Sequence, residues 1–371
     1  MGIEAMFDRE LWARVPFHFW SLFLFALGCM VGSFLNVCIH RMPLGLSVVS
    51  PPSHCPHCKY SIPWYLNVPL VTWLMLRGRC KNCGAPISVR YFLVELLTGF
   101  VFLGCWLWYG PVSAPTAIVY AFFIAGLIAA TFIDFEHFII PDEITIGGTV
   151  AGFLISVMMP GLHGADSMAG GAWKSLLGIG VGWGIVYAIL RLGKMLFGRQ
   201  KLSLPPDSRV VFGETSLHLP DQEVLYEDLF YRDSDTLIVQ AQRVEMIDRC
   251  YGECTVRLSR PVLKIDEDEF SPENVPYMAV VSGEMVVPRE AMGFGDVKFM
   301  AAIGAFLGWK AAVFSLMASS MIGALVGVGL IVMHRREWSS RLPYGPYIAL
   351  AAILWMFGGR ELVQRYFAIA M

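Results

Sequence analysis

The chain has 371 residues, 56% of them hydrophobic and only 16% charged, with a mean hydropathy of +0.57. Soluble domains carry about a quarter charged residues, so the composition excludes an ordinary soluble enzyme and indicates an integral membrane protein. A formal net charge of −2 argues against any general affinity for nucleic acid or anionic lipid.

At the N-terminus, Asp8, Arg9, Glu10 and Arg14 precede an apolar run with no small-residue cleavage site after it, and Arg41 fits a retained first span. Eight apolar runs have roughly the ~20 residues needed to cross a bilayer. They are predicted near 17–39, 90–109, 114–133, 139–160, 174–196, 297–311, 312–333 and 343–359, the sixth and eighth being short. Gly323 and Gly327 have the small-xxx-small spacing that permits close helix packing.

After the first span come two short cysteine pairs, Cys55-Pro-His-Cys58 and Cys80-Lys-Asn-Cys83, separated by 21 residues. Such knuckles place four thiolates tetrahedrally around Zn²⁺, and Gly84 lets the chain turn behind the second. Four cysteines leave no open position for water, so the reading is structural zinc on Cys55, Cys58, Cys80 and Cys83. A redox pair is the rival, and His54 or His57 are substitute ligands. Cys250 and Cys254 read as ordinary thiols, and Cys29, Cys38 and Cys105 as packing residues within spans.

Asp134 closes the third apolar run. An acid at the C-terminal end of a helix is opposed by the helix dipole, so capping does not explain it. Asp142 and Glu143 follow Pro141 and open the next run, where acids cap and complement the dipole. Glu136 and His137 are candidates for the same rim as Asp134.

Residues 198–292 break the membrane pattern, with turn-like clusters at Glu227-Asp228, Arg232–Asp235 and Asp266–Glu269. Short β-like stretches recur at Arg209–Phe212, Thr236–Ile247, Cys254–Leu258 and Tyr277–Pro288. This predicts a small antiparallel β-domain inserted in a loop, with a disordered linker as the alternative.

Directly after it, Asp296 sits in Gly293-Phe-Gly-Asp-Val-Lys298 before another apolar run. It is either the N-cap of that span or a functional acid beside glycines that admit a close approach. A carboxylate at the edge of hydrocarbon is costly and marks a functional site. Basic residues cluster after spans one (Arg41 to Arg90), five (Arg191 to Lys201) and seven (Arg335, Arg336, Arg341). The positive-inside rule puts these segments in the cytoplasm and both termini outside, so Asp134 and Asp296 share the cytoplasmic face. Two adjacent carboxylates share one proton, so one draws a proton from water while the other polarises a carbonyl. That is the chemistry of aspartic peptide hydrolysis. A proton-coupled transporter using the pair as a relay is the alternative from another class.

The ordered motifs resemble those of the bacterial type IV prepilin peptidases. They are Gly32-Ser-Phe-Leu-Asn-Val-Cys-Ile-His-Arg-Met-Pro43, the Cys55 to Cys83 loop with Asn67-Val-Pro69, Tyr91-Phe-Leu-Val-Glu95, Asp134 to Asp142, and Gly293 to Lys298. The resemblance implies that Asp134 and Asp296 are the catalytic dyad of a G-x-G-D membrane aspartic endopeptidase. It implies removal of a basic leader from prepilins or type II secretion pseudopilins, typically between glycine and phenylalanine. It further implies N-methylation of the new terminus from S-adenosylmethionine, although no separate cofactor motif is visible and the donor-binding residues are unassigned. The insert departs from the compact form of the family. It either shapes substrate access, binds secretion machinery, or is a tolerated loop.

The expectation is an all-α polytopic protein of the inner membrane with about eight transmembrane helices, a cytoplasmic zinc-binding loop and an inserted β-rich soluble domain. Its segments are 1–43, 44–89, 90–197, 198–292 and 293–371.

Overall fold

A computed structural model describes residues 16–197, 199–220, 223–230, 235–288, 293–333 and 342–370. Asp8 to Arg14, Arg232 and the basic group Arg335, Arg336 and Arg341 lie outside the described residues. The chain divides into two compact units, Tyr187–Gly293 and the remainder on either side of it.

Every predicted apolar run forms a helix: α1 (Phe17–Arg41), α2 (Val89–Tyr109), α3 (Ala114–His137), α4 (Asp142–Met158), α5 (Met168–Phe197), α6 (Phe294–Leu307), α7 (Trp309–Val332) and α8 (Gly345–Leu354). Local chemistry sets their ends. Ser88 and Ser113 cap α2 and α3, accepting the N–H groups of Arg90 and Thr116. Pro141 precedes α4, and Gly308 at φ +82 separates α6 from α7. Past α8, an irregular turn with Gly358 at φ +135 leads into α9 (Arg360–Ala370).

The expected count of eight spans is met in part. Among the described residues six helices are long and apolar enough to cross a membrane. Two helices, α4 with 17 residues and α6 with 14, fall short. At 1.5 Å per residue they reach about 26 and 21 Å, against ~30 Å of hydrocarbon. The short α6 is buried on nearly every side, from Asp296 to Phe306, so it has little lipid to match.

Glycines set the tightest helix crossings, though not at Gly323 and Gly327, whose neighbours stand at ordinary contact distance. A Cβ on Gly28 would lie 2.7 Å from the Thr98 carbonyl oxygen, and one on Gly32 2.7 Å from Glu95 Cα, so α1 and α2 pack backbone to backbone. Gly178 and Gly182 do the same for α5 against Gly304 and Met300 of α6.

The all-α description holds for the helical unit alone, and the expected β-rich insert is present. The second unit is an antiparallel sheet of β1 (Arg199–Phe212), β2 (Ser216–His218), β3 (Glu223–Leu225), β4 (Leu237–Ala241), β5 (Arg243–Met246), β6 (Cys250–Tyr251), β7 (Cys254–Leu258), β8 (Leu263–Ile265), β9 (Asp268–Phe270) and β10 (Met278–Pro288). The strand order is β3-β2-β1-β10-β4-β7-β8-β9, with β5 beside β10 and β6 beside β5. Period-2 burial drives it: Leu237, Val239 and Ala241 face one core with Val256, Leu258, Leu263 and Ile265. The β1–β10 ribbon runs from Arg199↔Pro288 to Phe212↔Met278 and breaks register between Ser203 and Ser208. Pro205 and Pro206, which have no N–H to donate, occupy that bulge. Glu227-Asp228, expected as a turn, lies in a single helical turn, Tyr226–Leu229.

Candidate active site

Asp134 and Asp296 are both buried, at 5% and 8% exposure. Helix α3 runs on past the apolar stretch to His137, so Asp134 lies in its last turn rather than after it. The dipole of its own helix opposes a charge there, but a second helix supplies a partner. Asp134 Oδ2 accepts the backbone N–H of Gly345, the first residue of α8, at 2.9 Å. An anion at a helix N-terminus meets unpaired N–H groups and the positive end of the dipole.

Asp296 is the third residue of α6 and therefore not its N-cap. The chain around it converges on Asp134 through one side chain. A Cβ on Gly295 would stand 3.5 Å from Ile140 Cβ, and one on Gly345 would stand 3.0 Å from Ile140 Cδ1 and 2.8 Å from Asp134 Oδ2. Ile140, itself buried, thus touches both the segment that carries Asp296 and the turn that holds Asp134. Gly295 makes only an ordinary contact, and the closest approach to the Asp134 carboxylate is at Gly345.

Asp142 and Glu143 occupy the first turn of α4, where they complement its dipole as expected, but neither caps it. Asp142 instead pairs with Lys298 Nζ at 2.6 Å, which ties the starts of α4 and α6 together. Glu136 pairs with Arg90 of α2, and His137 is exposed. Sequence reasoning assigned no role to Glu95, whose carboxylate is buried in α2 and accepts the Leu70 N–H at 2.7 Å. A lone acid within an apolar run was the available signal.

The four knuckle cysteines come together as expected, their sulfurs all within 4.8 Å of one another. Cys55 and Cys83 sulfurs stand 3.8 Å apart, and those of Cys58 and Cys80 stand 3.9 Å apart. Four ligands at about 2.3 Å from a tetrahedral centre lie about 3.8 Å from each other, so the set fits zinc and not a disulfide. The Asn82 amide donates to Cys58 Sγ and pulls that thiol down to about 6. Backbone N–H groups of Cys83 and Asn82 lower Cys80 as well. Both effects favour the thiolate, the form that binds metal. His54 and His57 are outside this sulfur cluster, although His54 Nδ1 lies 3.0 Å from the Pro52 carbonyl.

Fold and site together define a multi-pass membrane protein with a four-thiol loop and two buried acids at helix ends. Comparison with known proteins then specifies the class. Residues 26–109 match the bacterial peptidase A24 N-terminal domain, and residues 121–202 and 275–328 match the type IV leader peptidase family. The interruption, 203–274, falls within the sheet. A prepilin leader peptidase/N-methyltransferase of Aeromonas hydrophila is 28% identical over 96% of this chain and 97% of its own length. One from Myxococcus xanthus is 39% identical over 50% of this chain and 58% of its own length, and one from Stutzerimonas stutzeri 24% over 97% and 98%. No solved structure matches. The chain belongs to the type IV leader peptidase family and is a peptidase.

Proposed function

We propose that Asp134 and Asp296 are the catalytic pair of an aspartic endopeptidase that removes the leader from type IV prepilins or type II secretion pseudopilins at the cytoplasmic face of the inner membrane. The observation that supports this reading is Ile140, which lies against both Gly295, next to the buried Asp296, and Gly345, whose N–H holds the buried Asp134. With one proton between them, the ionised acid draws a proton from water while the protonated acid polarises the scissile carbonyl. Collapse of the resulting tetrahedral species returns a proton to the leaving amine. The basic segments after α1 and α5 support the cytoplasmic orientation. In this arrangement the short α4 and α6 count as the fourth and sixth crossings.

The curated relatives carry the name N-methyltransferase. This supports a second step in which the new terminal amine takes a methyl group from S-adenosylmethionine. The four thiols would hold zinc as a structural ion, with Cys55, Cys58, Cys80 and Cys83 filling its coordination.

Asp134→Asn and Asp296→Asn, each co-expressed with a prepilin, should leave the leader uncut. Processing at the normal rate by either variant would remove that acid from the mechanism. Mass spectrometry of the mature N-terminus reads the cut position and the methyl group together. Metal analysis of Cys55→Ser and Cys80→Ser proteins should show zinc lost, and undiminished zinc in both would sink the four-thiol site.

A further inference from the structure

The loop between α1 and α2 carries a surface that neither the acid pair nor the thiol cluster uses. From Met42 to Val94 the sequence contains no Asp or Glu, yet it holds Lys59, Arg77, Arg79, Lys81 and Arg90. The whole-chain charge of −2 conceals this wholly cationic stretch. The part between the knuckles is apolar and turned outward. Trp64 is 84% exposed and Met75 77% exposed, and Tyr65, Val68, Val71 and Leu74 are exposed as well. Six exposed apolar side chains between Trp64 and Met75 signal something that covers them.

The level of the segment indicates what does. The Leu70 N–H donates to Glu95, in the second turn of α2, and the Trp73 ring lies 5.1 Å from that of Phe92 in the first. Leu70 adopts φ +60 to make this contact, a conformation that costs a branched residue energy. The segment is therefore fastened alongside the first turns of a membrane-spanning helix and not raised above them. Those turns show exposed Val89 and Leu93 of their own. At this depth hydrocarbon gives way to headgroups, the zone that Trp and Tyr rings favour. Arg77, Arg79 and Lys81 are exposed at the end of the segment, where cations reach lipid phosphates.

We propose that residues 63–76 dock on the surface of the bilayer in which the chain is embedded. Their apolar side chains enter the acyl boundary, and the flanking cations lie on anionic headgroups. A second copy of the chain and an apolar helix of a substrate are the other possible occupants. A cationic apolar rim continuous with a lipid-facing helix favours the bilayer over both.

The test places a photoreactive benzoyl-phenylalanine at Trp64 and, separately, at Met75 of the full-length protein, reconstituted in vesicles of mixed zwitterionic and anionic phospholipid with a prepilin present. The same group at Leu22, a 70%-exposed residue in α1, is the lipid-facing control. Both loop positions should yield phospholipid adducts within about twofold of that control. Both are too exposed for the substitution to disturb the interior. Crosslinks to a second copy or to the prepilin, or no lipid adduct while Leu22 labels, would overturn the proposal.

Discussion

Gly345 is the residue on which the placement of Asp134 turns. Its N–H holds Oδ2, and any side chain would press into that carboxylate and into Ile140. Gly345→Ala keeps the N–H but drives Asp134 aside, and a misplacement near 1 Å costs about 10²-fold in rate. A prepilin-cleavage assay should show kcat reduced by that order with KM unchanged and zinc content intact. A normal kcat would mean that this contact does not set the geometry of the reaction. The sequence exposed Asp134 as unexplained by its own helix but hid its partner, which lies 211 residues along the chain. Cys58 offers a second residue-scale test, with its sign fixed by the Asn82 hydrogen bond. An ordinary thiol titrates near 9 and Cys58 near 6, so Cys58 is largely thiolate at neutral pH. In zinc-depleted protein, alkylation of Cys58 should rise as pH passes upward through about 6 and outrun that of Cys83. Peptide mass spectrometry across pH 5 to about 9 reads this directly.

At the scale of elements, the two cysteine knuckles are copies of one turn. Lys59 N–H bonds the Cys55 carbonyl and Gly84 N–H bonds the Cys80 carbonyl, each at 2.9 Å. Cys55 and Cys80 N–H groups then bond Tyr60 and Ala85. The position after the second cysteine is left-handed in both, φ +57 at Lys59 and φ +70 at Gly84. Glycine suits that conformation, and lysine there costs about 1 kcal/mol. Lys59→Gly should therefore tighten zinc binding about fivefold, measured by chelator competition, and Gly84→Ala should weaken it by a similar amount. The knuckles were legible because cysteine spacing is a local signal. Helix positions were legible from apolar length, but the shortness of α4 and α6 was not. Where α4 and α6 stop depends on Pro160 and Gly308, and their burial depends on neighbours that no run of hydropathy reveals. Strands of two or three residues, such as β6 and β9, are too short to show alternation. The long β1 began ten residues before its predicted start at Arg209, because its first half is polar and contains two prolines.

For the whole molecule, the second unit has the features of a domain that folds on its own. Its two ends meet, Arg199 pairing with Pro288, so the segment enters and leaves through neighbouring strands. It has its own core, in which Val239, Val244, Val256 and Val280 are fully buried, and the family match resumes only after most of it. A cut made at paired strands leaves no long-range sheet partner behind. Residues 199–288 expressed alone should accordingly give a single cooperative thermal transition by circular dichroism. Val256→Ala in that fragment removes buried methyl groups at the sheet centre, at a cost of about 2 kcal/mol. In a domain of this size that lowers the midpoint by about 10 °C. A broad, non-cooperative melt, or a midpoint indifferent to Val256, would mean that the sheet depends on the helical unit for its stability. The insert would then be part of the peptidase scaffold and not a separable addition to it.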